Sequence, residues 1–331
     1  MDQLASIGFY TLTDDRAANV SADSPLWRCE LLVTSRCNFS CTYCRKRTQP
    51  DLPLEDALRT LKIWTDEGLK NVRFSGGEPT IYPHLLELVT YVKVRGVEQI
   101  AISTNGSANR ELYDQLIEAG VNDFSISLDA CCASTGDKIS RKKDSWKKVV
   151  ENIKYIAKHV YTTLGVVLFE TNLPEVERIV QIGYDFDVDD IRLISAAQWN
   201  GPLNISIPNH IKQRYPILNY RLNHLAQGRN VRGIRDTDVN RCPLVLDDMA
   251  VEGNKHYPCI IYLREHGKAI GEIGPDVREQ RKKWYNQHNT FSDPICRKNC
   301  LDVCIDYNNR ATETNPSISV NSVRSRGIQK P

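Results

Sequence analysis

The chain has 331 residues, 41% of them apolar and 25% charged, an ordinary globular composition with enough length for a sizeable core. Forty-three basic side chains against forty-one acidic ones leave a net charge of +2, too little to mark nucleic acid or an anionic membrane as the partner. No run approaches the apolar length that spans a bilayer, and residues 1–15 carry acids early without a basic start and an apolar block, so the protein reads as cytoplasmic. Eleven cysteines stand out, because a reducing compartment keeps thiols for metals or catalysis rather than for disulfides. They bunch at Cys37, Cys41 and Cys44 and again at Cys296, Cys300 and Cys304, which suggests two metal sites.

From 28 to 194 short apolar runs alternate with longer amphipathic ones, the pattern of repeated strand-then-helix units and a parallel sheet. Strands are expected at 28–34, 71–75, 99–103, 123–128, 163–169 and 190–194, and helices at 53–67, 83–95, 110–119, 144–159 and 174–184. Several helices start near Pro or Asp, and Gly68, Gly96 and Gly120 follow the ends of the first three, as helix stops do. Six such units fit a doubly wound sheet or an incomplete TIM-type barrel, and both place functional loops at the carboxyl ends of the strands. The rhythm is lost after 194, and 240–309 is rich in Cys and Pro, a small second domain. Residues 311–331 are polar and read as a mobile tail.

Cys37, Cys41 and Cys44 follow the first strand on a loop at the carboxyl edge. Three thiolates can hold three irons of a cubane cluster and leave the fourth open to an outside ligand; zinc in a structural site normally takes four protein ligands, and none stands close. A zinc knuckle or a core cysteine cluster is the competing reading. Gly76-Gly77-Glu78-Pro79 ends the second strand, where two glycines let backbone approach a ligand and Glu78 offers a carboxylate to a cationic amine. Alone, this segment would be an ordinary tight turn.

Together and in this order, Cys-x-x-x-Cys-x-Tyr-Cys and Gly-Gly-Glu resemble the radical S-adenosylmethionine superfamily over residues 25–195. The resemblance implies an α/β fold, a partial (β/α)6 TIM-type barrel with a small C-terminal Cys-rich auxiliary-cluster domain. It implies a catalytic 4Fe–4S cluster on Cys37, Cys41 and Cys44 whose open iron binds S-adenosyl-L-methionine. Reductive cleavage then yields a 5′-deoxyadenosyl radical that abstracts hydrogen, chemistry the cofactors carry and the protein positions. Gly76, Gly77 and Glu78 match the segment that grips the methionyl amine, and Tyr43 matches the aromatic near the adenine. Ser103, Thr104 and Asn105 match cofactor contacts, with an Asn-Gly turn as the alternative. Ser127 resembles a ribose contact. Arg141 resembles the arginine that pairs with the methionyl carboxylate, the alternative being a solvated charge run.

Cys242, Cys259, Cys296, Cys300 and Cys304 form the second set. A hairpin turning at Gly253 brings the first two together, and the Cys-x-x-x-Cys-x-x-x-Cys spacing on a helix puts the last three near one face. The layout resembles the twitch and SPASM auxiliary domains of the same superfamily and implies one auxiliary 4Fe–4S cluster on Cys242, Cys259 and two of the other three, with a structural zinc site as the alternative. Cys131 and Cys132, after the fourth strand, are candidate hydrogen-atom donors or packing residues, and Cys29 is packing. The expected organisation is an N-terminal extension (1–25), the barrel (26–195), a connecting segment (196–239), the auxiliary domain (240–310) and the tail (311–331).

The leading functional expectation is a hydrogen-abstracting enzyme, of oxidoreductase or isomerase type, that modifies a peptide as maturase, epimerase or dehydrogenase. Its partners would be the substrate peptide or small molecule and an electron donor such as flavodoxin or ferredoxin, with no membrane. A nucleoside, nucleotide or nucleic-acid substrate is the less favoured enzymatic alternative, supported by basic clusters at Arg45-Lys46-Arg47, 141–148, and Arg229, Arg232, Arg235 and Arg241. A non-catalytic metal-binding or electron-transfer protein accounts for the cysteines but not for Gly76-Gly77-Glu78.

Overall fold

Six parallel strands, each joined to the next by helical crossovers, form the frame in a computed structural model that describes residues 16–315 and 318 except 46, 198 and 202. They are β1 (Arg28–Thr34), β2 (Asn71–Gly76), β3 (Gln99–Thr104), β4 (Asp123–Ser127), β5 (Tyr161–Leu168) and β6 (Asp190–Ser195), hydrogen-bonded in chain order. The crossover helices are α1 (Leu54–Asp66), α2 (Leu85–Val94), α3 (Arg110–Ala119), α4 (Ala133–Ser140), α5 (Ser145–Ile156) and α6 (Val176–Asp185). In α1, acids at Glu55 and Asp56 face the positive helix start, and Ala57, Leu61 and Trp64 recur at helical spacing to form the buried stripe. Each such large side chain contributes about 1.5–3 kcal/mol by burial. α4 lies where the sequence suggested only loop.

The strands alternate strictly. Cys29, Leu31 and Val33, Val72 and Phe74, Phe124 and Ile126, and Ile191 and Leu193 are buried under the helices. The residues between them, Arg28, Glu30, Arg73, Ser75, Ser125, Ser127, Arg192 and Ile194, face a common cavity on the inside of the curved sheet. This is the partial TIM-type barrel, with Cys29 in the packing layer.

The cysteine-rich region continues this sheet. β7 (Asp248–Glu252) pairs parallel to β1, with Arg28 opposite Asp248, and β8 (Lys255–Tyr257) and β9 (Gly271–Glu272) follow antiparallel. The hairpin turns at Gly253, whose φ of 61° is left-handed. The connecting segment contains α7 (Asn209–Arg214) and α8 (Pro216–Ala226); the buried Asp190 carboxylate accepts from the Ile217 and Leu218 amides at 3.1 and 3.4 Å, anchoring α8 beside β6. After α9 (Ile260–Arg264) and α10 (Val277–Gln287), the expected single cysteine helix is two, α11 (Pro294–Asn299) and α12 (Asp302–Thr314), with Cys300 extended between them. α12 runs into the expected tail and buries Ala311, as Asn315 and Ile318 are buried beyond it; the rest of 311–331, and residues 1–15, lie outside the described residues. No helix among the described residues is long and apolar enough to cross a membrane.

Candidate active site

The loop leaving β1 is pinned on both flanks. Leu52 N donates to Val33 O at 2.9 Å, and Thr34 Oγ1 and the Arg36 guanidinium converge on Asp51. On the other side Ser40 N and Thr42 N donate to the Ser140 and Ile139 carbonyls at the end of α4, at 2.9 and 3.1 Å. Cys37, Cys41 and Cys44 thereby line the rim of the cavity, Cys37 and Cys44 exposed. Phe39 N and Asn105 Nδ2 point at Cys37 Sγ, at 3.4 and 3.8 Å, the N–H donors that tune cluster sulfurs. Burial raises the Cys37 thiol and, with Asp129 nearby, lifts Cys41 to about 12; bound iron would offset that cost and hold both as thiolates.

Gly76 and Gly77 close against this loop. Gly77 N donates to Thr34 O at 2.8 Å and Glu78 N to Arg36 O at 2.9 Å. A Cβ at Gly77 would stand 2.2 Å from Arg36 O and one at Gly76 2.1 Å from Thr34 O, so only glycine permits the approach. Both glycines line the cavity. The Glu78 carboxylate does not: it is buried and accepts from Thr104 Oγ1 at 2.7 Å, Thr80 Oγ1 at 2.6 Å and Asn105 N at 2.6 Å. Burial raises its pKa. Its work here is to fix the β3 loop that carries Asn105, not to offer a carboxylate to a ligand.

Tyr43, Ser103, Thr104, Asn105 and Ser127 all line the cavity, whose volume is about 400 Å³, within the range of small-molecule sites. The Tyr43 hydroxyl donates to the Asp129 carboxylate, its ring lies 4.8 Å from that of Phe169, and Asp129 also accepts from Val167 N at 2.7 Å. Burial lifts Asp129 to about 6. Arg141 caps α4 in a left-handed conformation, exposed and outside the cavity lining. Cys131 and Cys132 are likewise outside it. Cys131 is buried in the helix-facing core, and Cys132 points to Ser134 and Thr135, whose hydroxyls lower it to about 7. Both thiols lie beside Glu175, because the chain turns away from the barrel interior after Ala130.

Sequence reasoning missed the cavity's charged groups. Arg28, Arg73, Arg192, Arg221 and Arg264 face it with Glu30, Asp129 and Asp248. Arg73 pairs with Asp123 at 2.7 Å, Arg221 with Asp302, Arg264 with Glu30 at 3.8 Å, and Arg28 with Glu30 and Asp248 at 3.7 and 3.5 Å. Arg192 makes no hydrogen bond or ion pair among the described residues. Burial and the like charge of Arg73 bring it down to about 10, so it remains a cation. The signal was the alternation of polar residues within otherwise apolar strands. In two of the basic clusters noted from the sequence the arginines are instead occupied: Arg45 with Glu265, Arg47 with Glu252, Arg229 with Asp306, Arg235 with Asp238, Arg232 and Arg241 with backbone carbonyls.

The second cysteine set closes the far wall. Cys242, Cys259, Cys296, Cys300 and Cys304 surround an apolar cavity of about 40 Å³, and Cys259 and Cys304 also line the large one. The fully buried Arg281 gathers the hairpin around it, donating to the carbonyls of Val245, Asp248, Tyr257 and Pro258. Five thiols in one apolar cavity fit a second iron–sulfur cluster.

A parallel barrel whose first strand ends in three converging thiols, beside a glycine pair pressed onto their loop, is the architecture of a cluster-bearing cofactor domain. Residues 31–182 match the Radical SAM superfamily and form a Radical SAM domain; the cofactors of that family are a 4Fe–4S cluster and S-adenosylmethionine. Among curated proteins it is similar to the probable GTP 3′,8-cyclase of Saccharolobus solfataricus, 31% identical over 51% of this chain and 57% of that one. It is also similar to the GTP 3′,8-cyclases of two Helicobacter pylori strains. One is 36% identical over 37% of this chain and 40% of the relative, the other 27% identical over 73% and 71%. The chain spans about half the length of the first two of these relatives. Among solved structures, Streptococcus suis SuiB bound to S-adenosylmethionine superposes with a TM-score of 0.58 over 85% of this chain and 69% of SuiB. The enzyme anSMEcpe with bound AdoMet and a peptide gives 0.56 over 87% and 96%. Both are 15% identical and establish the fold alone.

Proposed function

We propose that this protein is a radical S-adenosylmethionine enzyme whose substrate is a phosphate-bearing small molecule of the nucleotide class. The observation that carries the reading is Arg192, a cavity-facing guanidinium with no hydrogen bond or ion pair among the described residues, flanked by Arg28 and Arg73. The opposite charge that acts on it, Asp123, is already paired with Arg73, and a substrate phosphate would supply a further one in the bidentate geometry arginine favours. The names of the relatives support the same class, and the peptide expected from the sequence gives way to it.

When bound, the cluster and S-adenosylmethionine supply a hydrogen-abstracting adenosyl radical after one electron enters from an external donor such as flavodoxin or ferredoxin. The chain's own residues do the rest. Cys37, Cys41 and Cys44 would hold the cluster, Gly76 and Gly77 would present backbone to the methionyl group, and Tyr43, Ser127 and Asp129 would bound the adenosyl side. Arg192 and its neighbours would fix the phosphate end, so that the carbon to be attacked is held toward the cofactor side of the cavity.

The test is anaerobic reconstitution with reductant and S-adenosylmethionine, measuring 5′-deoxyadenosine with guanosine triphosphate, other nucleoside triphosphates, guanosine and a peptide set. Phosphorylated nucleosides should stimulate release. Arg192→Met should raise the KM for them about 10- to 100-fold, the loss of a charge-assisted contact of about 1.5–3 kcal/mol. Stimulation by a peptide that is indifferent to Arg192→Met would overturn the reading.

A further inference from the structure

Five thiols surround the second cavity, and a cubane needs four ligands to close all its irons. Their surroundings separate them. Cys242 Sγ receives Asn308 Nδ2 at 3.6 Å, and Cys259, at the N-terminus of α9, receives Tyr262 N at 3.4 Å, both N–H donors suited to a cluster thiolate. Among the described residues no side chain hydrogen-bonds the sulfurs of Cys304 and Cys300; the Cys300 thiol points at the Leu301 carbonyl at 3.9 Å. The Cys300 backbone is locked from outside: Gly233 N donates to its carbonyl at 2.9 Å, and Arg232 holds the preceding Asn299 carbonyl at 3.1 Å.

Cys296 is different. Its sulfur lies 3.7 Å from His288 Nε2, and the Asp293 carboxylate, the His288 nitrogen and the sulfur all fall within 4.8 Å of one another. Asp293 cannot easily leave. It caps α11 through the Ile295 and Cys296 amides at 2.8 and 2.9 Å and accepts from Tyr262 Oη at 2.9 Å, while His288 is stacked on Trp284 at 3.9 Å. A fixed carboxylate beside a thiolate repels it, and of the five sulfurs that of Cys296 is the one grouped within 4.8 Å of both a carboxylate oxygen and an imidazole nitrogen.

We infer that the auxiliary cluster is closed by Cys242, Cys259, Cys300 and Cys304, and that Cys296 is held out of the ligand set by Asp293 and His288. Every iron then carries a protein sulfur. Cys259 and Cys304, which line the large cavity, would then present bound thiolates to the substrate rather than an open metal position. The inference rests on this cavity holding a cubane.

The experiment uses the full chain with Cys37, Cys41 and Cys44 replaced by Ala, so that all remaining cluster iron belongs to the second site. Iron and sulfide per chain and the electron paramagnetic resonance of the reduced and oxidised protein are measured for single Cys→Ala and Cys→Ser variants, with circular dichroism as the folding check. Cys296→Ala should keep the parent's iron content and spectrum. Each of the other four should lose iron or show a three-iron signal. Cyanide, a small ligand for an open iron, should leave the parent spectrum unchanged. Iron loss in folded Cys296→Ala, full iron with an unchanged spectrum in Cys300→Ala or Cys304→Ala, or a cyanide-shifted parent spectrum overturns the assignment. Zinc or no iron in the parent would remove the cubane itself, an outcome distinct from any of these.

Discussion

The two cysteine sites share a ligand type and little else. The first is a loop of three thiols at the mouth of the barrel, two of them exposed, shaped by backbone pressed onto backbone at Gly76 and Gly77. The second holds five thiols between helices in an apolar pocket, its hairpin gathered by one buried arginine. The difference follows from what each must admit. An open iron needs a rim where a cofactor can enter, whereas a cluster enclosed by protein sulfurs gains from exclusion of water.

The largest effect should separate the sites outright. Replacing Cys37, Cys41 and Cys44 with Ala should remove about half of the cluster iron and all reductive cleavage of S-adenosylmethionine. Replacing Cys242 and Cys259 should also remove about half of the iron but leave measurable cleavage to 5′-deoxyadenosine while product formation stops. Cleavage lost equally in both would merge the two roles. Glycines give a finer contrast. Gly77→Ala puts a Cβ 2.2 Å from Arg36 O and 2.7 Å from Ser35 O, backbone that carries Cys37, so cofactor affinity measured by calorimetry should fall at least about ten-fold. Gly253→Ala, in the hairpin of the second site, meets nothing within 4 Å and should cost only the left-handed strain of about 1 kcal/mol in chemical unfolding, with cleavage unchanged.

The first site was far more legible in the sequence than the second. Its thiols and glycines are contiguous motifs at strand ends, and the six strands themselves begin and end within two residues of expectation. What escaped was set by tertiary contact. Nothing local says that Glu78 turns inward to Thr104 rather than outward to a ligand, or that the chain swings away after Ala130 and takes Cys131 with it. The spacing of Cys296, Cys300 and Cys304 is helical, yet Arg232 and Gly233 hold the chain extended at Cys300. The cavity arginines left a trace, polar residues at every second strand position. Whether a given arginine is paired depends on distant partners such as Asp123 and Asp302, and so Arg192 could not be singled out before the fold was known.

A pH-dependent effect concerns the carboxylate at the rim. Asp129 faces the cavity, and burial raises its pKa from the ordinary carboxyl value to about 6 in the folded chain. A raised carboxyl pKa means the folded state holds the proton more tightly, so the stabilisation is present in full below about pH 4 and is lost as pH climbs through 6. Asp129→Asn keeps an acceptor for Tyr43 and has no proton to lose. Urea unfolding of the cluster-free chain should therefore show the variant gaining on the parent between pH 4 and pH 7. The gain should be at most about 3 kcal/mol, since water in the cavity screens part of the charge. A difference that stays flat across that range would mean that Asp129 is solvated as a carboxylate. The rim would then be wetter than its contacts with Tyr43 and Val167 imply, and the contrast with the dry second site would be larger, not smaller.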